Sequence, residues 1–199
     1  LAYSEADGAA AALEPLANDP DAAVRETAAI GLTYLGRPEH LGVLRMIVGR
    51  KTPEFKQETR EASLAFDRLQ HDTWVALEHQ HSDAAVDLLG ETLLADLETL
   101  HPKADERGQV YLPGSDRAVT LCTLLGRAGN PRAVRWLLAA ADRIERSPDL
   151  SKHFETSKLT ASILRYREQT RDRVVRELET GASPDRWVYA LRHGDATFL

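Results

Sequence analysis

The pattern of apolar and polar positions predicts a chain of helices joined by short turns. Between residues 24 and 35 four apolar positions fall within ~80° of one another on a helical wheel. They are Val24, Ala28, Leu32 and Leu35. The next two helices are expected to bury Leu41, Leu44, Ile47 and Val48, and then Ala62, Phe66 and Leu69. We therefore expect amphipathic helices whose apolar faces meet in a shared core.

Capping and helix-breaking residues set the expected ends of the first helices. We expect the first helix to run to Ala17 and to be broken by the Asp19-Pro20 pair that follows. Asp19 then caps the second helix and Pro20 lies in its first turn, because a capping carboxylate accepts the free N–H groups there and proline needs no donor. Gly36 occupies the position of a left-handed helix C-cap.

A long helix followed by an irregular loop is expected in the middle of the chain. Ser82 caps a helix to Leu100. Its apolar stripe comprises Val86, Leu89, Leu93, Leu97 and Leu100. The segment HPKADERGQVYLPGS, residues 101–115, has no helical period and contains two prolines and two glycines. Loops of this length between helices are uncommon and often functional, so we expect a contact element with at most a short extended piece at 109–112.

Further helices are expected in the C-terminal part. Asn130-Pro131 and Ser147-Pro148 each combine a capping residue with a proline suited to a first helical turn. Residues 156–180 predict one long helix that is apolar on two sides, as in a helix packed between neighbours. One of its faces comprises Leu159, Ile163, Tyr166, Thr170 and Val174.

The helix pairs repeat along the chain. A shift of 90 residues superimposes Leu35-Gly36-Arg37 on Leu125-Gly126-Arg127, and Ile47-Val48 on Leu137-Leu138. Self-similar helix pairs with short turns indicate a helical solenoid. We expect one all-α domain over residues 1–199, a right-handed α/α superhelix of about nine or ten helices.

The stretch NDPDAAVRETAAIGLTYLGRP, residues 18–38, resembles the HEAT repeat, and more closely the bacterial HEAT-like repeats that also occur in phycobilin lyases. The matching positions are Asp19-Pro20, Val24-Arg25, Ala28, Leu32 and Leu35-Gly36, with a second unit at Gly126, Arg127 and residues 129–134. The resemblance implies an α-solenoid in which Asp19 caps a helix and Arg25 contacts neighbouring repeats in a polar ladder. It leaves the function open, because one fold hosts many functions.

Composition agrees with a helical globular chain, with 43% hydrophobic and 28% charged residues. No apolar run approaches the ~20 residues that span a bilayer, so we expect no membrane contact. The single cysteine, Cys122, cannot form an internal disulfide, and we expect it to be a buried hydrophobic residue in a reducing, cytoplasmic protein. Because the chain begins at Leu1 rather than Met, we expect it to be part of a longer or trimmed chain.

Charge divides the chain into an acidic half at 1–100, the loop at 101–115 and an Arg-rich half at 116–199. Residues 1–100 carry 8 Lys and Arg against 18 Asp and Glu, a balance of −10, while residues 101–199 carry 17 against 13, a balance of +4. The basic half could face an anionic partner, or the two halves could pair between copies in a homo-oligomer. The alternative is a surface charge with no partner.

Arginines of the basic half are the candidate binding residues. The segment RYREQTRDRVVR, residues 165–176, holds five arginines in twelve residues. The proposed binding set comprises Arg132, Arg135, Arg165, Arg173 and Arg176, with Tyr111 from the 101–115 loop. The alternative is a solvated helix on which acidic residues form i,i+4 pairs with the arginines. Trp136, beside Arg135, fits either base stacking or burial at a repeat junction.

The sequence contains no recognisable catalytic motif. It has no Gly-rich phosphate loop, nucleophile elbow or HExxH motif, and we expect no catalytic residue, metal or cofactor. His79 and His81 come nearest to a metal site. On a helix, however, residues two apart point about 200° from each other, so these two could share an ion only in an extended segment.

These observations favour a non-enzymatic scaffold or adaptor that binds a protein or peptide on the concave surface of the solenoid. The alternative is a nucleic-acid-binding protein similar to HEAT-like DNA glycosylases, acting through the Arg-rich half. A bilin lyase or chromophore chaperone, implied only by the repeat resemblance, is a third hypothesis.

Overall fold

The chain is largely α-helical. The structure, a computed structural model, describes residues 8–50, 60–166 and 168–170. Most of these residues lie in helices, which confirms the all-α prediction. The helices are α1 Ala9–Leu13, α2 Ala22–Tyr34, α3 Leu41–Val48, α4 Arg60–Gln80, α5 Asp83–Thr99, α6 Ser115–Arg127, α7 Ala133–Arg146, α8 Pro148–His153 and α9 Thr156–Leu164. Two short strands, β1 Lys103–Ala104 and β2 Val110–Tyr111, interrupt them.

The chain forms two compact units, residues 1–88 and 89–199. The division falls inside α5. The solenoid arrangement and the single domain stay predictions. None of the helices described is long and apolar enough to cross a membrane.

The first helix is shorter than expected. α1 ends at Leu13, and a 3₁₀ turn over Pro15–Asn18 follows it. The prediction of a helix that reaches Ala17 is therefore wrong. Pro15 explains the early end, because it has no N–H to donate and its ring crowds the preceding turn of an α-helix.

Asp21, rather than Asp19, caps α2. The Oδ1 of Asp21 accepts a hydrogen bond from the N–H of Ala23 at 2.7 Å. The Oδ1 of Asp19 instead accepts from the N–H of Asp21 at 2.8 Å, which shapes the turn before the helix. The predicted capping role of Asp19 is thus wrong, because α2 begins at Ala22 and the nearer aspartate reaches its first N–H groups.

Arg25 secures the same turn. Its Nη1 donates to the carbonyl oxygens of Asp19 at 2.7 Å and of Pro20 at 2.8 Å. One guanidinium can serve several acceptors at once, so these bonds fix the path of the chain into α2. They lie within one segment and give Arg25 a local role, while the polar ladder implied by the HEAT resemblance stays a prediction.

α2 is enclosed by its neighbours. Within the first unit it packs against α1, α3 and α4, and residues 28–33 are all buried. Ala28 and Leu32 are fully buried as predicted, whereas Val24 and Leu35 at the ends of the stripe are half-buried. Burial around the whole helix, rather than along one stripe, is expected of a helix with neighbours on several sides.

The C-terminus of α2 confirms the predicted glycine cap. Gly36 has a φ of 87°, in the left-handed region that favours glycine. Its N–H bonds to the carbonyl of Thr33, and the N–H of Arg37 bonds to the carbonyl of Leu32, each at 3.0 Å. This pair of bonds is the Schellman motif, which satisfies carbonyl groups that would otherwise be left free at the helix end.

The buried face of α4 is rotated from the predicted one. Ala62 is exposed, while Phe66 and Leu69 are only half-buried. The fully buried positions are Ser63, Gln70, Thr73, Trp74, Ala76 and Leu77. The predicted stripe is therefore wrong for this helix. Three of those buried positions are polar, so apolar periodicity could not reveal the face.

α5 confirms both its predicted cap and its stripe. The Oγ of Ser82 accepts from the N–H of Ala85 at 3.2 Å. The five buried stripe residues are Val86, Leu89, Leu93, Leu97 and Leu100. The helix ends at Thr99, one residue before the predicted end.

α6 packs against α9 at a glycine. A Cβ on Gly126 would lie 2.9 Å from the Cα of Ser162, so only glycine allows this approach. Gly126 lies inside α6 and not at its end, so it is not equivalent to Gly36 as the 90-residue shift implies. The left-handed glycine that follows α6 is Gly129, with a φ of 66°.

The long helix predicted for 156–180 is interrupted. α9 ends at Leu164, and Arg165 is its C-cap. The N–H of Tyr166 then bonds to the carbonyl of Ile163 at 3.0 Å, three residues back rather than four. The prediction of one continuous helix is therefore wrong at Arg165. The predicted apolar face is buried at Leu159, Ile163, Tyr166 and Thr170, and Val174 lies outside the described residues.

Gly126→Ala tests the contact between α6 and α9. We expect it to lower the free energy of unfolding by about 1–3 kcal/mol, because the added methyl overlaps a packed neighbour. The control is Gly42→Ala in α3, where nothing lies within 4 Å of an added Cβ. That change should be neutral or stabilise by up to ~1 kcal/mol, since Ala favours helix over Gly. Urea unfolding followed by circular dichroism measures both, and equal effects would contradict the account.

Candidate functional site

The segment 101–115 contains a small β-hairpin. β1 pairs antiparallel with β2, with Lys103 opposite Tyr111 and Ala104 opposite Val110. The extended piece expected within 109–112 is therefore confirmed, while its partner strand at 103–104 was not predicted.

Asp105 organises the turn of the hairpin. Its Oδ1 accepts from the N–H groups of Arg107 and Gln109, each at 2.8 Å. Its backbone N–H donates to the carbonyl of Gln109 at 2.9 Å, and its carbonyl accepts from the N–H of Gly108 at 3.0 Å. Aspartate commonly fixes turns in this way, by accepting N–H groups a few residues further on. The hairpin thus has a defined conformation without a partner.

Exposure changes abruptly between the second strand and the base of the hairpin. Val110 is 47% exposed and Tyr111 49% exposed, whereas Leu112 is 6% and Leu100 7% exposed. The two leucines therefore anchor the base in the core. A valine and a tyrosine project from this anchored base into solvent.

An ion pair joins α5 to α6 at the base of the hairpin. The Nε of Arg117 lies 2.9 Å from the Oδ2 of Asp96, and the two side chains are 24% and 20% exposed. Burial raises the pKa of the Asp96 carboxyl, and the positive charge of Arg117 opposes that rise. The guanidinium therefore offsets the cost of holding a carboxylate in a largely buried position.

Arg132 and Arg135 lie at the start of α7. The N–H of Arg132 donates to the Oδ1 of Asn130 at 2.9 Å. The Cζ of Arg135 lies 4.7 Å from the centre of the Trp136 ring, a cation–π contact. Trp136 is half-buried and packs on Gly90 of α5, where any Cβ would overlap the indole. Trp136 thus has a packing role, which favours the burial hypothesis over base stacking.

A cleft of about 360 Å³ lies between the end of α6, the start of α7 and the segment after α9. It is lined by Gly126, Arg127, Gly129, Pro131, Arg165, Tyr166, Glu168 and Gln169. Two arginines, one glutamate and one glutamine are therefore among the residues that line the same space. Guanidinium groups recognise carboxylates through directed, charge-assisted hydrogen bonds, so the cleft suits a segment that carries a carboxylate.

Tyr166 forms one side of the cleft and closes the end of α6. Its hydroxyl donates to the carbonyl of Leu125 at 2.7 Å, a buried bond that satisfies a carbonyl in the last turn of the helix. Burial raises the pKa of Tyr166, while the Gly129 backbone and the charge of Arg165 oppose that rise. At neutral pH the phenol is therefore a neutral hydrogen-bond donor with a structural role.

The predicted binding residues lie at separate places in the described part of the chain. Tyr111 lies on the hairpin, Arg132 and Arg135 lie at the start of α7, and Arg165 lines the cleft. Arg173 and Arg176 lie outside the described residues. Arg127 was missed by the sequence prediction although it lines the cleft with Arg165. The signal for it was the repeated Leu-Gly-Arg junction, which we interpreted as purely structural.

Cys122 confirms its predicted buried role. It is fully buried in α6. Burial raises the pKa of its thiol to about 12, so the thiol stays protonated at neutral pH. Because the thiolate is the reactive form, Cys122 is not suited to nucleophilic chemistry.

No family model matches this sequence, and comparison with curated proteins and with solved structures also gave no match.

Arg117→Gln and Asp96→Asn test the ion pair at the hairpin base. We expect Arg117→Gln to lower the free energy of unfolding by about 1–3 kcal/mol, because a largely buried carboxylate loses its neighbouring cation. Urea unfolding measured between pH 4 and pH 7 checks this value and its dependence on pH.

The pH dependence of Asp96→Asn provides the control. Because folding raises the pKa of Asp96 above its ordinary value of 3.8, its contribution to stability falls as the pH rises through that range. Asparagine does not ionise. The free energy of unfolding of Asp96→Asn, relative to that of the wild type, should therefore increase between pH 4 and pH 7. A shift in the opposite direction would contradict the assigned environment of Asp96.

Proposed function

We propose that this chain is a non-enzymatic protein-interaction module that binds a partner protein or peptide through its hairpin. The observation that carries the proposal is the exposure of Val110 and Tyr111, 47% and 49%, directly beside the buried Leu112. Tyrosine supplies a large contact area while losing little conformational entropy, and it is enriched at protein interfaces.

The geometry of the turn supports the same proposal. Asp105 accepts two backbone N–H groups at 2.8 Å, so the hairpin is ordered before it binds. A contact element that is already ordered loses less entropy on association, and more of its contact energy appears as affinity.

The cleft provides a second contact that favours an acidic partner. Arg127 and Arg165 line it together, and residues 101–199 have a net charge of +4. Basic surfaces attract acidic segments over several ångströms and raise association rates at low salt. We propose that an acidic segment of the same partner enters this cleft.

The HEAT-like architecture belongs to the proposal as well. Helix pairs such as α2 with α3 and α6 with α7 are joined by short turns, which is the pattern of repeats that stack into an extended binding surface. A cytoplasmic location and a function without a cofactor complete the proposal.

Nucleic-acid binding through the arginines is the alternative. It predicts an affinity that falls steeply with salt, because each neutralised phosphate releases counterions. The contacts of Trp136 with Gly90 and Arg135 favour the protein-interaction proposal over this alternative. To stack on a base, the indole would have to give up a face that is already packed.

A photoreactive amino acid at position 111 tests the proposal in the native cell. We expect one protein, or a few, to be crosslinked there at reproducible yield. The control places the same amino acid at Met46 of α3, which is 63% exposed. Recovery of nucleic acid, or of the same proteins from both positions, would refute the hairpin as the binding element.

The purified partner then allows the energetics to be measured by calorimetry. We expect Tyr111→Ala to weaken binding by at least about tenfold, as truncation of an interface hot spot does. Asp105→Ala should also weaken binding, because the turn would then have to be ordered on association. Tyr111→Ala should unfold within ~0.5 kcal/mol of the wild type, since the Tyr111 side chain is exposed. Unchanged affinity for Tyr111→Ala would overturn the proposal.

A further inference from the structure

The first turns of α4 expose apolar side chains. Leu64 is 57% exposed, and Ala65 beside it is exposed as well. Ser63, the residue before them, is buried, and its Oγ has no hydrogen-bond partner among the described residues. This part of α4 therefore directs a polar side chain inward and apolar ones outward. A single exposed leucine is ordinary on a protein surface, so its neighbours on the same face decide whether it belongs to a contact surface.

Four exposed residues form one face of α4, which we call the outer face. The outer face comprises Glu61, Leu64, Ala65 and Arg68. Their spacing of three, four and seven residues places them within ~100° of one another on a helix. The buried Gln70 and Leu77 lie roughly 160–180° from Glu61 on the same wheel, and α4 packs against α2 and α3. The outer face therefore points away from the core of its own unit.

The order of residues along the outer face is acidic, apolar, apolar and basic. A second copy of α4 that runs antiparallel across it, with a two-fold axis between Leu64 and Ala65, sets Leu64 against Ala65 of the second copy. The same axis sets Glu61 against Arg68 of the second copy, and each contact occurs twice. Every residue thus meets one of complementary kind, as a contact between identical patches requires. A parallel pairing in register would instead set like charges against each other.

We propose that the chain self-associates through the outer face of α4, which pairs antiparallel with the outer face of a second copy. Charge pairs that flank an apolar contact select the partner and the orientation of packed helices. The small side chain of Ala65 leaves room for Leu64 of the second copy. The contact covers only two helical turns, at the small end of specific interfaces.

The size of the contact predicts a weak and reversible dimer. We expect a dissociation constant of about 10–1000 µM. The proposal does not rest on the hairpin, although a dimer would present two hairpins to a partner that has two binding sites.

Sedimentation equilibrium of the full chain tests the proposal through charge reversal. Glu61→Arg and Arg68→Glu each set like charges against each other twice, so each variant should dimerise at least about tenfold more weakly than the wild type. An equimolar mixture of the two variants should dimerise within about threefold of the wild type, because each variant supplies the charge that the other needs. Recovery in the mixture distinguishes a direct charge pair from a loss of folding.

Two matched controls separate the outer face from other exposed positions. Asp67→Arg changes the charge as Glu61→Arg does, at an exposed position of α4 roughly 120° from Glu61. Leu64→Ser removes the exposed apolar group of the face, and Met46→Ser does the same on α3, where Met46 is 63% exposed. We expect Leu64→Ser to weaken the dimer at least about tenfold, and Asp67→Arg and Met46→Ser to leave it unchanged.

Three results would overturn the proposal. They are a wild-type chain that stays monomeric at about 1 mM, a dimer that the charge reversals leave intact, and a mixture of the two reversed variants that stays monomeric.

Discussion

The ion pair between Asp96 and Arg117 joins the two helices that the hairpin connects. A two-stranded hairpin is at best marginally stable by itself in water, and here each strand has only two residues. Its conformation therefore depends on how its two ends are held. The ion pair fixes α5 to α6, and Leu100 and Leu112 are buried where the chain leaves one helix and enters the other.

The same unit contains a second site that depends on close helix contact. Gly126 allows α6 to approach α9 at Ser162, and the Tyr166 hydroxyl closes the end of α6 by donating to Leu125. These contacts bring Arg127 and Arg165 to one cleft although they are far apart in sequence. Both candidate binding elements thus lie beside packed helix contacts that hold them in place.

The parts of the fold that sequence could predict are those fixed by local chemistry. The apolar stripe of α5 and the Gly36 cap depend on residues within one or two helical turns, and both are confirmed. The face of α4 was not predictable, because Ser63, Gln70 and Thr73 occupy buried positions that periodicity assigns to the surface. The choice between Asp19 and Asp21 as a cap was equally hidden, since both precede α2 and have the same side chain.

The candidate sites could not be predicted from sequence, because they depend on contacts that no local sequence pattern indicates. Strands of two residues have no measurable period, so the pairing of Lys103 with Tyr111 could not be read from the sequence. Gly126 matched Gly36 in the repeat alignment but serves as a contact inside a helix, and this match concealed the role of Arg127 beside it. The end of α4 at Gln80 was also not predicted. A continuous helix would place the rings of His79 and His81 on different faces, whereas their centres lie 6.1 Å apart.

Binding through the hairpin depends most on a hairpin that is ordered before it meets a partner. Amide hydrogen exchange of the free protein, followed by nuclear magnetic resonance, measures this order directly. The N–H groups of Arg107 and Gln109, which bond to the Asp105 carboxylate, should exchange at least about tenfold more slowly than in an unstructured chain, since exchange requires these bonds to open. Exchange of both amides at the rate of an unstructured chain would contradict a preformed binding element.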